Sequence, residues 1–388
     1  MTETATTPHW ARLAVGAGAA LFVGMGVGRF SYTPMVPALV ADGGFSAAEA
    51  GTVGACNLAG FLVGALMQPA LRRAWGEAAA QRLAIAVTLA ALIASIAPWG
   101  FFWLASWRGL AGVGVGVIMV QSLAVATRWA PAGRLGAAAG IAFTGVGIGI
   151  VLSGVMLPAL LDHGLTAAWA GLALIGALGS AVALWAWAPG VPAVPAPAAA
   201  TGAAPAAGAQ ARLVLAHVMF TLGLIPHTIY WIDYLVRGLG HSAATGGGHW
   251  ALFGLGAMTG TYLWGRLGDR IGLRAGLVAA FASLAVGTAL PVLETAGWAL
   301  VFSSLVVGAQ PGCSALLSGR AHQIFGAAGM PAVWRRMVLA SGIGQALGGY
   351  ALVALFEWSG GYAAVFGVGA TAFTLGAVAA AGLGRRTG

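Results

Sequence analysis

The chain has no lysine, only two cysteines and little charge of either sign: 18 basic residues, all arginine, and nine acidic ones among 388. Charged residues make up 7% of the sequence, far below the roughly one quarter usual for a soluble globular chain, which excludes that class. Cys56 and Cys313 both fall in apolar runs, where a small buried residue is the better reading than a disulfide or a metal ligand. No Cys/His cluster has metal-ligand spacing and no Gly-Lys-Ser/Thr loop is present to cradle phosphate. Neither a resident metal, a cofactor nor an ATP-driven pump is therefore expected. The net charge of +9 raises nucleic acid as a partner, but the positions of the charges remove it.

What is there instead is hydrophobic: 60% of residues are apolar and the mean hydropathy is +0.90. A spanning helix needs roughly 20 apolar residues, and runs of that length recur along the chain. They predict twelve spans, over 12–39, 47–69, 80–97, 100–125, 136–160, 167–188, 213–236, 248–266, 274–291, 298–319, 336–356 and 362–383. The runs lack the alternation of a barrel wall, so the fold class expected is an all-α membrane protein. The arginines sit in every second loop. Arg72, Arg73 and Arg82 follow the second span, Arg128 and Arg134 the fourth, and Arg266, Arg270 and Arg274 the eighth. Arg320, Arg335 and Arg336 flank the loop after the tenth span, and Arg385 and Arg386 close the chain. Asp42, Glu49, Asp162, Glu294 and Glu357 occupy the opposite loops, with Arg237 the basic exception. By the positive-inside rule both termini are cytoplasmic, with the first span read as an uncleaved anchor in a multi-pass membrane protein.

One long break interrupts the hydrophobicity, the Pro-, Ala- and Gly-rich stretch from Pro189 to Gln210, which reads as a flexible tether. It divides the chain into residues 1–188, a linker over 189–212, and residues 213–388, with six spans on either side. Two six-helix bundles joined this way are the plan of the major facilitator superfamily (MFS) fold. The loop after span eight, Gly265-Arg266-Leu267-Gly268-Asp269-Arg270-Ile271-Gly272-Leu273-Arg274, resembles the signature loop of that superfamily, departing from it at Leu273. Gly265 and Gly272 allow a tight turn, while Asp269 can accept hydrogen bonds from neighbouring arginines such as Arg270 and Arg274. The corresponding loop of the first half keeps Leu71 and Gly76 but has Arg73 where the acid belongs. Arg108-Gly109-Leu110-Ala111-Gly112 in span four resembles the fourth-helix pattern with Ala111 for Gln, and the Gly-Pro pair of many drug antiporters is missing after Gly145. Finally, Gly26-Val27-Gly28-Arg29-Phe30-Ser31-Tyr32-Thr33-Pro34-Met35-Val36-Pro37 resembles the first helix of the YbfB/YjiJ branch. That resemblance implies a bacterial inner-membrane carrier, monomeric by default, and brings no substrate with it.

Arg29 stands in a run of membrane-spanning length, where a charge is costly and calls for a reason. At 1.5 Å per residue it lies roughly 25 Å along its helix from Arg12, and Arg108 lies roughly 15 Å from the opposite end of span four. Both fall near one level, with His227 of span seven beside them. Spans one, four and seven line the central cavity in the superfamily. Two guanidiniums at that level suit a carboxylate or similar anion; alternatively they hydrogen-bond backbone carbonyls and hold their helices. Spans one to six offer no acid at that depth to neutralise them, which favours an anionic guest. Pro226 kinks span seven, and His227 next to it can carry a proton or simply bond within the cavity. Asp233 lies four residues before Arg237, the spacing of a helical ion pair, and is the other coupling candidate. Tyr32, Gln121, Tyr230, Gln310, Trp231 and Gln345 complete the polar or amphipathic candidates for substrate contact. The glycine pairs 60/64, 145/149, 256/260 and 344/348 fall in spans two, five, eight and eleven, and allow close helix approach. The reading is a secondary carrier for a small organic anion, coupled to protons or working by exchange, whose partners are its substrate and membrane lipids. An exporter of neutral or cationic hydrophobic compounds is the alternative, and a membrane enzyme or sensor the remote one, since no nucleophile, base or attached soluble domain is visible.

Overall fold

The computed structural model describes residues 10–42, 44–97, 99–131, 134–187 and 207–384, and those residues are helical almost throughout. The elements are α1 (Trp10–Ala41), α2 (Ala47–Ala94), α3 (Phe101–Arg128), α4 (Leu135–Leu161), α5 (Leu165–Ala186), α6 (Gly208–Gly238), α7 (Ala243–Ile271), α8 (Leu273–Leu293), α9 (Gly297–Gly308), α10 (Pro311–Ser359) and α11 (Tyr362–Ala381). Ten segments among the described residues are long and apolar enough to cross a membrane. The 29-residue α7 falls outside that set because glycines and His249 dilute its apolar content. Most of the expected tether lies outside the described residues, as do Arg385 and Arg386, and residues 208–212 already form the first turn of α6.

Two long helices are not continuous. In α2, Gly76 has φ 82° and ψ 167°, and in α10, Gly326 has φ 66° and ψ −180°, dihedrals that only glycine adopts without strain. The chain doubles back at Gly76, because residues before and after it pack along the same stretch of α3. Asn57 donates to the Arg108 carbonyl at 3.0 Å, a Cβ on Gly60 would strike the carbonyl oxygen of Gly109, and Gly114 lies against Ala84 and Thr88.

The arginine-bearing ends converge on one side of the molecule. Arg12 donates to the Trp185 carbonyl at 2.8 Å, Arg212 reaches the Gly382 carbonyl, Arg274 that of Ala381, and Arg320 that of Leu383 at 3.2 Å. Large apolar side chains remain exposed on the outside of the helices, among them Phe102, Val155, Leu174 and Trp358. Such a surface suits hydrocarbon and not water. Exposed Trp99, Trp298 and Trp358 lie at one end and Trp75, Trp185 and Tyr262 at the other, as in interfacial aromatic belts.

Glycine sets how closely the helices pack. The expected close approaches occur: Gly60 and Gly64 meet α3, Gly145 and Gly149 meet α1, Gly256 and Gly260 meet the α9 end, and Gly344 and Gly348 meet α6. Contact between α4 and α7 is made instead by Gly147 against Gly254 and Gly154 against Gly247, two heptad-spaced pairs running antiparallel with backbone on backbone. Toward the arginine-rich end this seam opens, and nothing lies within 4 Å of a Cβ placed at Gly140 or Gly265.

Candidate functional site

The first helix changes its hydrogen-bond register in mid-course. After Trp10–Leu21 the chain runs as a π-helix over Phe22–Arg29, then as a 3-10 helix over Phe30–Met35, before Val36–Ala41 resumes α. Three glycines at 24, 26 and 28 tolerate the wide turn, and Pro34 removes the donor that an α-helix would need there. The switch loosens the ladder at the carbonyls of Gly28 and Arg29, and Arg108 supplies the missing donors. Its Nη1 donates to the Gly28 carbonyl at 2.7 Å and its Nη2 to that of Arg29 at 3.2 Å, with the guanidinium 4.8 Å over the Tyr32 ring. Tyr32 is held in turn by its hydroxyl, which donates to the Ala50 carbonyl at 2.8 Å.

Arg29 is treated differently. It is 9% exposed, its guanidinium stands 5.4 Å from the Phe30 ring and 5.3 Å from the Phe61 ring, and it donates no hydrogen bond to any described residue. Its Nε is buried without a partner. No carboxylate is paired with it among the described residues, since the ion pairs there are Arg72 and Arg128 with Glu77, and Arg237 with Asp233. A fully charged group thus sits at membrane depth with two aromatic faces and no anion beside it.

The other candidates separate into three groups. His227, fully buried on a second π segment over Pro226–Tyr230, bonds Ser303 and stacks on Trp231. Tyr230 is buried with a free hydroxyl and stacks on Phe356 at 5.1 Å, and Gln345 is buried on the α10 face between Gly349, which meets α2, and Gly344, which meets α6. His227 reaches the Arg29 level through Phe253 and Phe30, and the Gln345 face packs on the stretch of α2 that carries Phe61, whereas the Tyr230 hydroxyl lies against Gly51, about 15 Å along α2 from Phe61. Asp233 is neutralised in place, with Arg237 Nη1 3.2 Å from both carboxylate oxygens and the Tyr362 hydroxyl donating to Oδ2 at 2.7 Å. Gln121 and Gln310 are elsewhere. Gln121 is thirteen residues along α3 from Arg108, about 20 Å away, with its amide used by Gln68 and the Glu77 carbonyl. Gln310 is half-buried at the turn between α9 and α10.

In the signature loop Gly272 alone turns the chain, at φ 88°, while Gly265 is helical. Asp269 and Arg270 are exposed, and Gly268 packs on Leu316. The first-half loop has its acid one residue past the turn. Glu77 accepts from Arg128 Nη1 at 2.7 Å and lies 3.8 Å from Arg72. Sequence reasoning passed over Glu77, although an acid in an arginine loop was itself the signal. It also passed over Phe61, whose ring over Arg29 is visible only in space.

Across the middle, Thr33 donates to the Thr228 carbonyl, and Phe30 packs on Trp250 and Phe253 at 6.3 and 6.4 Å. The molecule is sealed there on the acidic-end side of Arg29. At the arginine-rich end, by contrast, Thr127, Leu273, Ser318, His322 and Gln323 line an open cavity of about 760 Å³.

The molecule thus crosses two π-broken helices beside a buried cation that pairs with no acid among the described residues. Its fold matches that of solved transporters at low identity. A POT family transporter in complex with 5-aminolevulinic acid aligns over 95% of this chain and 94% of its own at 14% identity and TM-score 0.75. A D-xylose-proton symporter aligns over 95% and 96% at 17% identity and TM-score 0.71, and a peptide transporter POT in complex with sulfate over 94% and 93% at 16% and 0.71. No curated protein matches the chain. The family model described as uncharacterised MFS-type transporter YbfB matches residues 21–381, and the chain belongs to that family. The family and the similar structures are transporters, not enzymes.

Proposed function

We propose that the chain is a secondary carrier that moves a small organic anion, most simply a carboxylate, across the bacterial inner membrane by alternating access. The observation that carries the reading is Arg29: a buried guanidinium with no hydrogen-bond acceptor and no acid among the described residues. Burying such a charge is costly, and a carboxylate arriving in the cavity offsets that cost by pairing with the planar fork. Arg108 belongs to the frame, since its donors are spent on the α1 backbone, and Tyr32 with it. His227 and Gln345 are the polar groups nearest to hand, with Tyr230, Gln121 and Gln310 outside the binding level.

In this reading α2 and α10 each pass twice, around Gly76 and Gly326, and α9 joins the first part of α10, which gives twelve spans in two bundles of six. The arginine-rich loops face the cytoplasm, so the structure is the inward-open state of a monomer, sealed at Thr33 and Thr228. An exporter of cations is disfavoured because Asp233, the buried acid of α6 among the described residues, is already paired with Arg237 and Tyr362. Coupling is to protons or by exchange.

The test is a thermal-shift screen of the purified protein against small carboxylates, amines and neutral metabolites, with Arg29→Gln in parallel. Stabilisation by a carboxylate in the parent only is expected. Stabilisation by amines, unchanged in Arg29→Gln, would refute the anion reading.

A further inference from the structure

A second polar cluster lies two aromatic rings, Phe253 and Phe30, from Arg29. His227 Nε2 is 2.9 Å from Ser303 Oγ, and its Nδ1 is buried without a partner. The next residue of α9, Ser304, holds another imidazole, with His249 Nδ1 3.0 Å from Ser304 Oγ. The same oxygen accepts from Trp231 Nε1 at 3.2 Å and donates to the Leu300 carbonyl at 3.0 Å. A hydroxyl has one proton and an indole nitrogen can only donate. With the Ser304 proton spent on Leu300, His249 must carry a hydrogen on Nδ1, in the neutral ring and in the imidazolium alike. His227 is not fixed in this way. Ser303 has no other side-chain hydrogen bond to hold it, so it can donate to Nε2 or accept from it, and either ring state is accommodated at that nitrogen.

The position of His227 ties it to the anion site. It stands on the π turn Pro226–Tyr230, and its ring lies 6.4 Å from Phe253, which lies 6.4 Å from Phe30, the residue after Arg29. The charged and titratable groups around it are few. The segment that bears it contributes Tyr230, Tyr234 and Asp233, the last already paired with Arg237; α7 contributes His249, whose Nδ1 hydrogen is held by Ser304; α11 contributes Tyr362, bound to Asp233, and the ring of Phe366; α9 contributes hydroxyls only; and α1 contributes Arg29 beyond Phe253 and Phe30.

We propose that His227 is the proton-binding residue of the carrier and that one proton travels with one monoanion. The proposal rests on the anion reading above. In the empty carrier Arg29 supplies a positive charge that opposes an imidazolium across the two rings of Phe253 and Phe30. A bound carboxylate cancels that charge and lets His227 accept a proton, so the loaded site has the same net charge as the empty one. In the step itself an N–H bond forms at the free ring nitrogen with a proton from water, and the same bond breaks when the anion leaves on the other side. Ser303 is a positioning residue that holds the ring in both states.

Two measurements test this. Isothermal titration of benzoate, pyruvate and lactate in buffers of different ionisation enthalpy counts protons. About one proton taken up per bound anion in the parent is expected, with none in His227→Gln at retained binding. Equal uptake in His227→Gln overturns the proposal and leaves the anion reading standing. Without any ligand, acid should quench the fluorescence of Trp231, which stacks on His227 at 4.8 Å, in the parent and not in His227→Gln. Identical quenching in both also overturns it. Should none of the probes bind while the His227-dependent quenching persists, the anion reading fails and the proton site stands. Ser303→Ala keeps the imidazole and removes its partner, which should move the quenching to lower pH, because a charged donor loses more than a neutral acceptor. An unmoved profile removes Ser303 from the proposal and counts against it.

Discussion

Replacing each buried arginine of the first cavity layer with glutamine should change stability in opposite directions. Arg108→Gln removes two charge-assisted bonds at 2.7 and 3.2 Å and leaves the carbonyls of Gly28 and Arg29 buried at a register switch. A buried acceptor without a donor costs about 1–3 kcal/mol. Relief of cation burial returns part of this, so a net loss of about 2–4 kcal/mol is expected. Arg29→Gln removes no hydrogen bond. It forfeits two ring contacts at 5.4 and 5.3 Å, each worth about 0.5–2 kcal/mol, and relieves the desolvation of an unpaired cation, which costs several kcal/mol. The ligand-free protein should therefore be as stable or more stable. Binding reverses the order: loss of the buried partner of a carboxylate costs about 2–5 kcal/mol, a dissociation constant weaker by roughly 30-fold or more. Fluorescence-detected unfolding in detergent gives the first quantity and titration calorimetry the second. Equal falls in midpoint for both variants, with parental affinity kept in Arg29→Gln, would refute the division of labour between the two side chains.

Three further outcomes are expected. Gly60→Ala drives a methyl into the Gly109 carbonyl where both neighbours are backbone, so it should cost about 3 kcal/mol and yield little monodisperse protein by size exclusion. Gly326→Ala meets no neighbour but must adopt φ 66°, so it should lower the unfolding midpoint by the equivalent of about 1–2 kcal/mol while expression is retained. Glu77→Gln breaks a pair whose arginine is 32% exposed, so it should cost less than about 1 kcal/mol and abolish most of the difference between midpoints in low and high salt.

The apolar helices of membrane-spanning length and the lone buried Arg29 were legible because each follows from local composition. Apolar length sets a helix, and arginine in such a run is conspicuous. The turn at Gly76 was foreseeable from the partial signature motif, though its acid was not, since Glu77 lies where Arg73 drew attention. Arg29 and Arg108 are alike in sequence, both lone cations in apolar helices. Only the π-to-3-10 switch shows which one has carbonyls to serve, and that switch depends on how the ladder closes around Pro34, not on residue type alone. Spacing found the glycine pairs, but a pair says that something comes close without saying what. Gly147 and Gly154, seven apart, lay outside the four-residue pattern and form the α4 and α7 contact.

That contact has a mechanical consequence. Backbone held against backbone at two levels a heptad apart resists sliding and tilts only as a fulcrum, while residues 135–146 of α4 extend beyond it as an arm of about 18 Å. A swing of about 20° about the seam displaces the tip of that arm by about 6 Å, the width of a small carboxylate. The side chains seated on these glycines, Met258 on Gly147, Val151 on Gly254 and Pro158 on Gly247, are the ones such a movement must repack.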